Sequence, residues 1–418
     1  MATKQKTRIF IAREIFQGRI RERSYGWSNY GRRIQMKKTL IFVNLVGLLI
    51  GVSYGMHGPI LPIFAKNVID ASYAELGLIG FANFIPYMFI PLFVGFLLHR
   101  FNSGYLLTVG VAINSASIFL LSIVESVPEI MGTRIMTGIA HAFFWPPCES
   151  IISQESSGPQ RVRNISWFTG FFVAGFMIGP LIANIFLEDL ESSYRFLFQI
   201  ASYVLISAIL FSVLVSRGRV RSKEGTFSFS SIKQMVKFPE VIIMLIYCTA
   251  SFGMILTIFP AFLNDRSMSG NDILILYFIF GISRLVALAL GEFFAKRTSL
   301  TLIGATFAIA FGLIIAFSSD SLIEFAVSML LMGFGFSIFF PLTLEIVLSK
   351  TKSEIHHTLI GAYETTFGIG WVIGPVAAGL ISEFSDISAP YLVFFVLGLG
   401  IAALSIAKRK SLEPKKSI

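Results

Sequence analysis

The hexapeptide GFMIGP occupies residues 175–180 and returns almost unchanged as GWVIGP at 370–375, each copy inside a long apolar run. Two glycines four residues apart, followed by a proline, suit a helix that another backbone approaches closely and that bends at the proline. Recurrence after 195 positions indicates one packing unit built twice. Other glycine and proline pairs hold nearly the same offset: Gly55 and Pro62 with Gly253 and Pro260, Gly95 with Gly291, Gly138 and Pro146 with Gly333 and Pro341.

The composition around these pairs identifies the solvent. With 55% hydrophobic and 14% charged residues over 418 positions, the chain is too apolar for a soluble protein of this length. Apolar runs of roughly 20 residues, enough to cross about 30 Å of hydrocarbon, lie near 39–65, 74–98, 104–124, 129–153, 164–186, 196–216, 241–263, 273–295, 300–318, 322–348, 358–382 and 389–407. A barrel would show short alternating strands, so these twelve runs read as helices. The expected fold is an all-α integral membrane protein with twelve transmembrane helices in two pseudo-symmetric six-helix bundles. Its expected parts are a basic tail (1–37), a first bundle (38–216), a linker (217–240), a second bundle (241–407) and a basic tail (408–418). Both halves enter from the same side, so the repeat is parallel, about an axis along the membrane normal.

Lys and Arg sort unevenly between alternate loops. The side holding both termini carries 29 of the 34, whereas the opposite loops hold only Lys66, Arg195 and Arg266 amid many acids. By the positive-inside rule both termini are cytoplasmic, in a multi-pass protein of the cell membrane. The net charge of +10 follows from this asymmetry and points to anionic lipid rather than nucleic acid as the partner of the basic tails. Residues 9–20, IFIAREIFQGRI, fit either a short amphipathic helix on the inner leaflet or a solvated tail.

Catalytic signatures are missing from the sequence: it has no HExxH, no GxSxG and no Walker loop. Cys148 and Cys248 form no CxxC pair, so no zinc site or disulfide framework is suggested. GIGWVIG (368–374) follows no strand and is not a dinucleotide loop. No enzyme activity, cofactor or metal is expected.

Ionisable residues inside the spans carry the functional signal, because each costs several kcal/mol near the bilayer centre unless it faces protein or water. Arg134, Gly138, His141 and Trp145 fall on one helical stripe in span four, with Glu149 just beyond. Arg134 and Glu149, fifteen residues apart, are separated by roughly 22 Å along a helix and cannot neutralise each other. Arg284 lies mid-span in span eight and Glu364 well inside span eleven, while His57 and His141 titrate near neutrality in water. The competing reading is snorkelling for Arg134, which lies near the outer end of its span, and a satisfied packing residue or ion pair for the others. These seven are the substrate-binding or coupling candidates.

At this point the chain, over residues 38–407, resembles the major facilitator superfamily. GFLLHRF (95–101) is similar to that family's loop motif after the second helix, and GEFFAKR (291–297) to its copy in the second half. IMGTRIMTGIAHA (130–142) looks like the fourth-helix motif, GFMIGP like the fifth-helix motif of proton-linked drug antiporters, and PILP (59–62) like the end of their first helix. His99 stands where the loop motif has an aspartate, and Ala295 fills the second copy. The resemblance implies gating or helix-packing roles for Gly95, His99, Arg100, Gly138, Gly175, Gly179, Pro180, Gly291, Gly370, Gly374 and Pro375. It also implies a site between the halves, lined by spans one, four, seven and ten and exposed alternately to each side; Tyr54, Trp145, Phe252, Phe336 and Phe340 are candidate lining.

The function expected is secondary active transport, namely proton-linked efflux of small amphipathic or drug-like solutes, with protons as coupling ion, by a chain able to work as a monomer. Two alternatives stay open: a uniporter or symporter of a small organic anion anchored by Arg134 and Arg284, and a non-transporting membrane sensor acting through the basic tail.

Overall fold

The computed structural model describes residues 38–156, 158–188, 191–216, 230–352 and 356–414. The basic tail through residue 37, with its stretch 9–20, the linker residues 217–229 and the last four residues lie outside the described residues. Among the described residues all regular structure is helical. Span one runs from 38 to 57 and resumes as Ile60–Asn67. Spans two and three are Tyr73–Arg100 and Ser103–Leu121. Span four is Val127–Ala142 with Trp145–Glu155; spans five and six are Gly158–Phe186 and Glu191–Ser216. In the second half, span seven is Pro239–Thr257 with Phe259–Asp265, and span eight is Gly270–Ala289 with Gly291–Ala295. Spans nine to twelve are Thr298–Ser318, Leu322–Ser349, His356–Phe384 and Ala389–Ala407.

Eleven of these are long and apolar enough to cross a membrane as single helices. Span four is the exception. Pro146 and Pro147 lack the N–H groups that would bond the carbonyls of Ala142 and Phe143, and their rings crowd those carbonyls. The helix breaks at Phe143–Phe144 and resumes with the Cys148 N–H bonded to the Phe144 carbonyl. Spans one and seven break at matching places, after His57 and Thr257, so each half begins with a long helix and a short terminal piece.

Residues 38 and 414 lie at one end of the bundle, the terminal end; the opposite end is distal. At the distal end serines start three helices. Ser72, Ser269 and Ser321 each accept an N–H three residues on, while Glu75, Asp272 and Glu324 answer to the serine N–H, the reciprocal box that satisfies two orphan donors. Asn102 caps span three at the terminal end.

The glycine pairs set the packing. A methyl group at Gly51 or Gly175 would collide with carbonyl oxygens across the contact of spans one and five, and one at Gly374 would do so between spans seven and eleven. Gly138 lies against the Asn83 carbonyl of span two, as Gly333 lies against the Phe280 carbonyl of span eight. Glycine is required where backbones touch in this way. Between the halves, span two packs along span eleven and span five along span eight.

Polar bridges between the halves gather at the distal end. The Asn67 amide donates to Asn264 Oδ1 at 2.9 Å and the Tyr73 hydroxyl to Asp265 at 2.9 Å, while Lys66 pairs with Asp265 at 3.3 Å. The Ala74 N–H reaches Glu383 and the Asn184 amide reaches the Asn271 carbonyl. Lys66, Arg195 and Arg266, the three basic residues of the distal loops, are each paired with an acid: Asp265, Glu191 and Asp320 respectively. Spans four and ten find their main neighbours within their own halves, and the bridges just described tie the halves together at the distal end.

Candidate functional site

Two layers of polar side chains lie between the halves. The deeper one centres on Tyr54 of span one. Its ring lies 5.4 Å from His57, 5.6 Å from His141 and 5.9 Å from Phe176, centroid to centroid. The Arg134 guanidinium sits beside the Tyr54 hydroxyl and is only 4% exposed, so it faces the bundle interior and does not snorkel to the surface. Its Nη1 has no hydrogen-bond partner among the described residues. His57 Nδ1 lies 2.6 Å from the Ser53 carbonyl; only a donor fits there, which leaves Nε2 as a buried acceptor with no partner among the described residues. Asn83, 1% exposed on span two, likewise has no partner for either side-chain polar atom among the described residues. Beside Arg134, between Tyr54, Leu256 and Thr257, remains a space of about 20 Å³, room for one water-sized group.

Arg284 enters the same layer from span eight, 8% exposed. Four phenyl rings surround its guanidinium carbon, with centroids 5.4 Å away for Phe176, 5.2 Å for Phe252, 5.6 Å for Phe280 and 5.2 Å for Phe336. Phe176 belongs to the first half and the other three to the second. Phe252 and Phe336 stack on each other at 3.7 Å. The Arg284 Nε donates to the Ser337 hydroxyl at 3.3 Å. Tyr54 lies within electrostatic reach of both arginines, and His57 of Arg134 and His141. Among the described residues neither arginine forms an ion pair.

Acids occupy the second layer, nearer the terminal end. Glu364 of span eleven accepts a hydrogen bond from Tyr87 of span two at 3.4 Å. Glu149, on the second piece of span four, lies within electrostatic reach of both Glu364 and Tyr87, although Glu364 belongs to the other half. Positive and negative charge are thus segregated along the axis of the bundle.

The other expected residues divide. The stripe from Arg134 through Trp145 to Glu149 is not continuous, because the prolines break span four between His141 and Trp145. Trp145 packs its ring on Phe144, Phe168 and Phe172 within the first half. Gly95 and His99 fall on the last two turns of span two, and Arg100 is its exposed last residue. Gly291 opens the short second piece of span eight, and nothing would meet a methyl group there. Gly175, Gly179, Gly370 and Gly374 sit at the seams already described, and Pro180 and Pro375 crown them: Pro180 lies against Gly55, Pro375 against Gly80 and Gly253. Sequence reasoning did not single out Tyr87, Asn83, Phe176, Phe280 or Ser337. The only available signal was for Phe280, one helical turn before Arg284.

A family model described as Major Facilitator Superfamily matches residues 43–347 and 283–417. The chain is 22% identical over 385 residues to the uncharacterized MFS-type transporter MJ1560 of Methanocaldococcus jannaschii, a match covering 89% of this chain and 98% of the relative. It is 24% identical to the quinolone resistance protein NorA of Staphylococcus aureus (88% and 94% covered) and 25% identical to multidrug resistance protein 1 of Bacillus subtilis (91% and 98%). Among solved structures it superimposes on the nucleoside transporter NupG with TM-score 0.72 at 15% identity, covering 88% of this chain and 98% of that one. A bacterial homologue of the human lysosomal transporter Spinster gives TM-score 0.72 at 14% identity, with 92% and 99% covered.

Proposed function

This chain belongs to the major facilitator superfamily, and from that premise we propose that it exports small amphipathic solutes across the cell membrane in exchange for protons. It is a multi-pass membrane transporter with the alternating-access fold, and not an enzyme. The distribution of Lys and Arg supports a cytoplasmic terminal end, so that the distal bridges close the outer face and the solute enters from the cytoplasm. Quinolone and multidrug resistance in the names of two relatives favour drug-like cargo. The lining suits an amphipathic solute: Phe252, Phe336 and Phe340 supply apolar rings next to the polar layer around Tyr54, Arg134 and Arg284. Nothing in this scheme needs a second subunit; the lipid bilayer, a solute and protons are its partners.

The observation that carries the proton step is that Glu149 and Glu364, from opposite halves, lie within electrostatic reach of each other, with Tyr87 hydrogen-bonded to Glu364. Two negative charges repel strongly away from bulk water, and a proton held at the pair relieves that repulsion. Rocking of the halves changes the distance between the two carboxyls, so proton occupancy and conformation become linked.

The test is proton movement into proteoliposomes loaded with a pH dye, with solutes added singly to wild type, Glu149→Gln and Glu364→Gln. Solute-dependent proton flux that vanishes in a Gln variant is expected. Solute transport without proton flux refutes the coupling; no transport of any solute, with a signal that is lost on deleting residues 1–35, would mark a non-transporting sensor instead.

A further inference from the structure

Resting on that reading, we infer that the transported solute carries an anionic group, a carboxylate or sulfonate next to an apolar body, which docks between Arg134 and Arg284. Each half contributes one guanidinium to the deep layer, 4% and 8% exposed, and neither has a carboxylate partner among the described residues. A buried cation is tolerated when it is paired and hydrogen-bonded; here Nη1 of Arg134 is unpartnered, and Arg284 has one long hydrogen bond and four ring faces. Aromatic faces stabilise a guanidinium far less than a charge-assisted bidentate bond to an acid does in a desolvated site. The protein's own acids cannot fill the gap, because Glu149 and Glu364 belong to the other layer.

The recognition is specific in two respects. Planar guanidiniums match the two oxygens of a carboxylate, and the unpartnered Arg134 Nη1 supplies a donor. The phenyl rings of Phe176, Phe252, Phe280 and Phe336, packed on one another around Arg284, are the apolar surface that an aromatic or branched body would meet once the halves part. The arrangement also explains how binding drives the cycle. Because the two guanidiniums belong to different halves, an anion held by both has different affinities for open and closed states, as any cargo that drives a conformational change must.

Binding in detergent, with no proton gradient, separates this inference from the export reading. Three probes share one ring system and differ in charge: 2-naphthoate, 2-naphthylmethylamine and 2-naphthalenemethanol, titrated calorimetrically into the full-length protein. Naphthoate is expected to bind at least tenfold more tightly than the alcohol, with the amine weakest. Arg134→Gln and Arg284→Gln should each reduce naphthoate affinity tenfold or more and erase its advantage over the alcohol, while Arg284→Lys should keep part of it. If a Gln variant does not fold, the wild-type ranking and the Lys variant decide. Naphthoate no tighter than the alcohol, or binding by none of the three, overturns the anion site. Amine-driven proton flux in liposomes would in that case leave export standing. Naphthoate binding that depends on both arginines, without proton flux, would keep the anion site and remove proton exchange.

Discussion

Spans four and ten occupy the same place in the two halves, and they differ in what they carry. Gly138 and Pro146 recur 195 residues on as Gly333 and Pro341, but at that offset Arg134 becomes Met329, His141 becomes Phe336 and Trp145 becomes Phe340. The second arginine comes from span eight, where the residue 196 positions earlier is Met88. One proline bends span ten and leaves it continuous, whereas the pair in span four breaks it. The repeat therefore retains what backbone contact demands and lets the site chemistry diverge. An asymmetric site from a symmetric frame is what a solute with two unlike ends requires.

The largest effect expected is on the shared frame. Gly175→Val and Gly374→Val force side chains into opposing backbones, and each should lower stability by about 3 kcal/mol or more, read as thermal unfolding in detergent. A valine tolerated in one half only would break the equivalence of the seams. Next, Arg134→Met writes the span-ten residue into span four. Transport should fall by about tenfold or more, the loss of roughly 1.4 kcal/mol or more of binding, with the yield of folded protein maintained. Unaltered transport would mean that the divergence of the two spans is incidental.

The distal closure offers a smaller effect. Asp265→Asn removes the charge that holds Lys66 and bonds Tyr73 across the halves. For a partly exposed pair this is worth about 0.5–1 kcal/mol, a severalfold shift toward the distally open state. Thiol labelling of Asn67→Cys, with and without the Asp265 change, would register it. The smallest effect lies at Asp386, whose carboxyl is held below its usual range by the Ser388 hydroxyl and N–H in an exposed turn. A depressed carboxyl stabilises the fold above the unfolded-state pKa of about 3.9 and loses that contribution as pH falls through the folded value. Asp386→Asn should thus move the melting temperature by no more than about a degree at pH 7, and not at all at low pH.

The twelve spans and the double frame were legible because each rests on local pattern, apolar length and glycine spacing; Arg284 stood out only as a mid-span charge with no acid at its depth on its own helix. The break in span four was half legible. Pro146-Pro147 stood in the sequence, but the stripe from Arg134 to Trp145 assumed an uninterrupted helix through it. The cage around Arg284 was not legible, since Phe176 reaches it from the other half, and the chain contains 43 phenylalanines with no local mark to choose among them. Tyr87 was hidden for the same reason: its meaning comes from Glu364, which lies 277 residues away. Lys66, Arg195 and Arg266 stood out as exceptions to the charge asymmetry, and their acid partners give a physical reason for their tolerance at that end.

Segregation of charge along the axis also bears on the membrane potential. A carrier that sends out an anion held by the arginine layer and takes in a proton held by the carboxylate layer moves two charges in the direction an inside-negative voltage favours. Each charge is worth about 2.3 kcal/mol per 100 mV. Such a machine would run on voltage even where no pH difference exists, and potassium diffusion potentials set with valinomycin would set its rate.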